Sequence, residues 1–171
     1  MFKKLTLVTI STLALSSSAM SSTFMDASWA KQMCSAWNKS ATLKTGLSSW
    51  AKNDKKRGYK IIQVYRTHCG VKSKVQLNII SKGGKAYCQS GGKPDGKKMN
   101  YDVDYLMNAT DKDWKCMGEA SFGCGAMGAM MSGKLKFKGP KVEAMKVMSP
   151  FGAFLKLTGS VGKNNSKTCP R

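Results

Sequence analysis

The chain has 171 residues, with 29 lysine plus arginine against 9 acidic residues and a formal charge of +20. Only Arg57, Arg66 and Arg171 are arginine. Phosphate and base recognition favours the arginine fork, so this lysine field suits anionic surfaces in general more than specific nucleic-acid reading. His68 is the single histidine, which excludes a two-histidine acid–base pair. No P-loop, Rossmann fingerprint or G-x-S-x-G occurs, so neither an enzyme nor a cofactor is expected.

The N-terminus reads as a secretory signal over residues 1–19. Lys3 and Lys4 give a positive start, Leu5 to Leu15 an apolar stretch, and Ser17-Ser18-Ala19 the small residues of a cleavage site. A membrane anchor needs about 20 mostly apolar residues, and this run is too short. Loss of Lys3 and Lys4 lowers the formal charge from +20 to +18. The mature chain is expected to be periplasmic or secreted, as one domain over residues 25–160 with a polar tail over 161–171. Cys34, Cys69, Cys88, Cys116, Cys124 and Cys169 read as disulfide candidates in such a compartment. Pairing neighbours in the expected topology suggests Cys69–Cys88, Cys116–Cys124 and Cys34–Cys169.

In chain order, Trp29, Met33, Ala36, Trp37, Ser40, Leu43, Leu47 and Trp50 recur at steps of three and four. They predict one amphipathic helix over 25–51. Residues 60–69, with Ile61, Ile62, Val64 and Tyr65, predict a strand. Val75, Leu77 and Ile79 alternate with polar neighbours and predict a second. Gly83-Gly84 predicts a turn into a third over 85–90. Residues 91–98 read as a polar loop. Tyr101, Val103, Tyr105 and Met107 predict a fourth strand. Thr110 with Asp113 resembles a capping box, so a short helix is expected from Asp111 to about Gly118. After a Gly/Met-rich run, Gly133-Lys-Leu-Lys-Phe-Lys-Gly139 predicts the fifth strand. Asp102 and Asp104 are expected to pair with its Lys134, Lys136 and Lys138. Residues 142–149 predict a last helix, broken or kinked by Pro150, before the apolar segment of Phe151, Phe154, Leu155 and Leu157. The fold class is α+β, one five-stranded and mainly antiparallel sheet with helices on one face.

From the strand ending at Asn108-Ala109-Thr110 to the helix at 142–149, this order resembles the sterol-carrier-protein (type two) lipid-transfer domain. The glycine-bounded strand 133–139 with a helix behind it carries the likeness. Pro140 departs from the acidic residue that the family usually places after the second glycine. The signal and the cysteines suggest an exported bacterial offshoot. The resemblance implies a hydrophobic tunnel between sheet and helices and non-catalytic binding and transfer of a sterol, fatty acyl or isoprenoid lipid.

Twelve methionines fit that picture, because unbranched, polarisable side chains make adaptable walls. The expected lipid-binding residues are Phe122, Met127, Met130, Met131, Leu135, Phe137, Met145, Met148, Phe151, Phe154 and Leu155. Segments 119–131 and 145–157 would form the lid. The expected partners are a lipid ligand and, transiently, an anionic membrane surface, with no specific nucleic acid and the chain acting as a monomer. Two rival readings stand beside it: binding of an acidic polymer or nucleic acid by the lysine-rich surface, and Cu(I) binding by the soft thioethers of Met127, Met130 and Met131.

Overall fold

Apolar and β-branched residues at every second position build one sheet, and a stripe at helical spacing covers it. The computed structural model describes residues 22–161 and 168–170. The expected signal and most of the expected tail lie outside them. The strands are β1 (Lys60–Arg66), β2 (Val75–Lys82), β3 (Lys85–Gly92), β4 (Tyr105–Ala109) and β5 (Lys136–Lys138), in the order β3-β2-β1-β4-β5. Three of the four pairings are antiparallel, and β1 with β4 is parallel. This is the α+β sheet expected from the sequence.

The helices are α1 (Ala27–Lys39), α2 (Ala41–Gly46), α3 (Ser48–Lys52), α4 (Asp111–Gly118), α5 (Ala126–Met131), α6 (Lys141–Lys146) and α7 (Met148–Ser160). They bury Ile62 and Val64 of β1, Val75, Leu77 and Ile79 of β2, and Tyr105 and Met107 of β4 in a single apolar core. The four tryptophans are buried, and each indole N–H finds an acceptor. Trp29 donates to the Val161 carbonyl, Trp37 to Ala86, Trp114 to Tyr65 and Trp50 to the Tyr105 hydroxyl. The sheet's other face carries a chain of buried amides beside Ile61. Gln63 donates to Gln76, which donates to Asn78, and Asp95 from the 91–98 loop accepts from both Gln76 and Asn78. Folding this loop over β2 makes Gln76 and Asn78 buried residues, at 2% and 4% exposure.

Local chemistry shifts several expected boundaries. The first helix is three helices, because Ser40 caps α2 by accepting from the Leu43 N–H and Leu47 separates α2 from α3. The fourth strand starts at Tyr105, since Asn100 and Asp104 close a turn: the Asp104 N–H donates to the Asn100 carbonyl at 2.7 Å. Asp104 is fully buried and pairs with Arg57 at 2.6 Å, while Lys138 stacks over Tyr101, so the expected aspartate–lysine ladder does not form. The capping box is where the motif put it, with Thr110 accepting from the Asp113 N–H at 3.1 Å. Pro150 neither breaks nor kinks the last helix. It is the third residue of α7, where its missing N–H needs no intrahelical partner. The break falls at Val147, between α6 and α7.

The disulfides are Cys34–Cys88, Cys69–Cys169 and Cys116–Cys124. The last is as expected; the other two exchange partners. Cys88 pairs with Ile79, which faces Lys60 at the start of β1, whereas Cys69 lies beyond Arg66 at its far end. That separates the two by about 20 Å along the strand. Cys88 therefore meets Cys34 on α1, and Cys69 meets the returning tail, whose Thr168 carbonyl accepts from Arg66.

Candidate functional site

Between the sheet and the helical layer lies a cavity of about 30 Å³, walled by Trp37, Leu47, Trp50, Ile62, Tyr105, Met107, Ala144, Val147, Phe151 and Phe154. Period-two alternation aims Ile62, Tyr105 and Met107 up from β1 and β4. The helical stripe aims Trp37, Leu47 and Trp50 down, and α6 with the start of α7 closes the side. The volume suits one or two waters, against about 300–1,000 Å³ for small-molecule sites. The space is therefore an apolar seed and not the tunnel that the resemblance implies.

A polar cluster sits beside this cavity. The Lys60 side chain is fully buried, yet its ammonium donates to both Glu143 carboxylate oxygens, at 2.8 and 2.9 Å, and to the Trp50 carbonyl at 3.1 Å. It also stacks 4.2 Å from the Trp50 ring centroid. Glu143, on α6, further accepts from the Tyr105 hydroxyl and from Asn53. Burial lowers the Lys60 ammonium below its ordinary value, and the Glu143 hydrogen bond works against that. Burial and then Glu143 push the Tyr105 hydroxyl well above the usual phenol range, so it stays a donor. Two lining residues, Trp50 and Tyr105, thus belong to the cluster, and Glu143 ties the α6 wall to the sheet.

Solved structures share this arrangement of layers. Sterol carrier protein 2 superposes with a TM-score of 0.57 over 81% of this chain and 99% of its own, at 18% identity. This is the sterol carrier protein 2 fold. A conserved hypothetical protein from Thermus thermophilus gives a TM-score of 0.55 over 88% of this chain and 97% of its own, at 19% identity. No family model and no curated protein matches the sequence.

Within the sterol carrier protein 2 fold, the expected site residues separate into three groups. Phe151 and Phe154 line the cavity. Leu135 and Leu155 are buried in the core, and Phe137, Met130 and Met148 are half-buried against it; Phe137 meets the rings of Tyr105 and Phe151. Phe122, Met127, Met131 and Met145 are exposed, at 106%, 45%, 80% and 55%. The Gly/Met-rich segment therefore supplies no wall of this cavity, and only the C-terminal half of the expected lid does. The sequence reading missed Trp37, Leu47, Trp50, Ile62, Tyr105 and Met107 as site residues. Their periodicity was legible, but it marks any inward residue and does not separate a cavity wall from solid core. Glu143, the latch on α6, carried no sequence signal. Met130 faces the core while Met127 and Met131 face outward, so the three thioethers of the Cu(I) reading divide between interior and surface.

Proposed function

We propose that the chain is a non-catalytic carrier that takes one apolar lipid between its sheet and the α6–α7 wall. The observation that carries the reading is the apolar cavity at this place in a sterol carrier protein 2 fold, closed on one side by α6 and the start of α7, with a break between them at Val147. Solid cores are filled to crystal-like density, so an apolar space between layers marks where they separate most readily. Outward movement of α6 and the first turns of α7 would widen the cavity into a channel. The driving force is partition, about 0.8 kcal/mol per methylene moved from water to apolar walls. Lys60, Tyr105 and Glu143 serve as the fastening of this wall, not as reacting groups, because each is held by the others.

The proposed setting is the periplasm or the exterior. Three disulfides tie the described residues together, as suits an oxidising compartment, and residues 1–19 have the zoning of an export signal. The carrier would meet anionic membranes through its lysine excess. The test is energy transfer from Trp37 and Trp50, which line the cavity, to a fluorescent fatty acyl or sterol probe. Saturable transfer, abolished by an unlabelled lipid, supports the reading; none at micromolar probe contradicts it.

A further inference from the structure

α6 has two working faces. Its inner side carries Glu143, which fastens to Lys60, and Ala144, which lines the cavity. Its outer side has no partner among the described residues: Val142 is 69% exposed and Met145 55%, and Lys141 and Lys146 are exposed as well. Stepping about 100° per residue from Lys141 places Lys141, Met145, Val142 and Lys146, in that order, within one arc of about 140°. Two apolar side chains are thus bracketed by a lysine on each flank. On an interfacial helix this arrangement lets apolar groups enter the acyl boundary while the lysines reach back to the headgroups.

We propose that the outer face of α6 lies on an anionic lipid bilayer, setting the cavity wall directly against the membrane. A protein partner suits the face poorly, because two apolar side chains fall far short of the roughly 800 Å² per partner that a stable interface buries. A second copy of this chain is disfavoured too, since lysines would meet lysines. Anionic headgroups complement both the flanking lysines and the formal charge of +18 that remains once residues 1–19 are removed, each lysine near the surface adding to the attraction. The proposal takes its purpose from the carrier reading, but its test does not depend on lipid uptake.

Two variants, each with one added tryptophan, decide it: Met145→Trp on α6, and Phe122→Trp at an exposed apolar position outside α6. Both sites are open to solvent, and the native tryptophans are buried and give a constant background. With vesicles of phosphatidylglycerol and brominated phosphatidylcholine, the added emission of the Met145→Trp variant is quenched, and the quenching is lost in pure phosphatidylcholine. A Val142→Ser/Met145→Ser variant keeps its melting temperature and binds anionic vesicles about tenfold more weakly, a change of about 1.4 kcal/mol. Quenching in the Phe122→Trp variant without quenching in the Met145→Trp variant overturns the proposal, as does full binding by the double serine variant. Quenching of the Met145→Trp reporter in a protein that takes up no lipid probe would leave the docking face standing and remove the carrier reading.

Discussion

The Lys60–Glu143 pair predicts an asymmetry that can be worked through. Lys60 is wholly buried, whereas Glu143 keeps 16% side-chain exposure at the rim. Glu143→Gln strands the ammonium among the Trp50 and Tyr105 rings, with only the Trp50 carbonyl and a neutral amide as acceptors. Breaking a buried pair in this way costs about 3–5 kcal/mol. Lys60→Met removes the buried charge instead, and Glu143 can turn to water while methionine fills the stem's space, so the cost is about 1–2 kcal/mol. The double variant has no stranded charge. It should therefore lose much less than the two singles together, a coupling of about 2–3 kcal/mol. The penalty in Glu143→Gln also depends on pH. Burial already holds the folded-state Lys60 below its ordinary 10.5, and loss of the carboxylate lowers it further. A lysine depressed in the folded state costs most below its folded value, and the cost fades as pH rises towards the ordinary 10.5. The deficit seen at neutral pH should therefore shrink in alkaline buffer. Urea unfolding followed by tryptophan fluorescence measures all three variants without adding salt. Equal losses from the two singles that sum in the double to within about 0.5 kcal/mol would refute the reasoning.

Further outcomes follow from other parts of the fold. α4 and α7 touch backbone to backbone at Gly118, where an added Cβ would lie 2.6 Å from the Gly159 Cα; Gly118→Ala should cost about 1–3 kcal/mol in urea unfolding. Replacing both Cys34 and Cys88 by alanine frees a loop with a sequence separation of 54, about 4 kcal/mol in the chain-entropy account, against roughly 2.5 kcal/mol for Cys116 and Cys124. Acid should destabilise the protein through Asp95 and Asp111. Burial raises Asp95, but hydrogen bonds from Lys97, Gln76 and Asn78 outweigh it and bring it down to about 2, and Arg66 holds Asp111 below its ordinary 3.8. Both are depressed in the folded state, so their stabilisation is present above the ordinary value of 3.8 and is lost as pH falls towards about 2. Melting curves taken from neutral pH down through this window should show the loss, with a smaller fall in an Asp95→Asn variant.

The fold was legible where one residue's chemistry dictates the backbone. Alternation at Val75, Leu77 and Ile79 marked β2, Gly83-Gly84 marked the hairpin, and Thr110 with Asp113 marked the start of α4 to the residue. Boundaries set by competition were not legible. Ser40 could ride a helix or cap one, and tertiary packing chose the cap. Tyr101 and Val103 alternate like a strand but sit in a turn closed by Asn100 and Asp104. Of the expected lipid-binding residues, Phe151 and Phe154 border the cavity; methionine content alone does not tell an inward side chain from an outward one. Met127, Met131 and Met145 lie on the outer sides of the short helices α5 and α6. For the two exchanged disulfides, only the strand register reveals that Cys69 and Cys88 stand at opposite ends of β1.

The central claim is that an apolar guest occupies the space between sheet and α6–α7. Organic extraction of the protein purified from its native compartment, followed by mass spectrometry, addresses it most directly. The expected result is a lipid released in near-stoichiometric amount, and markedly less from a variant in which Ala144→Phe fills the cavity. Recovery of no lipid, together with no uptake of an added sterol or fatty acid by the folded protein, would contradict it.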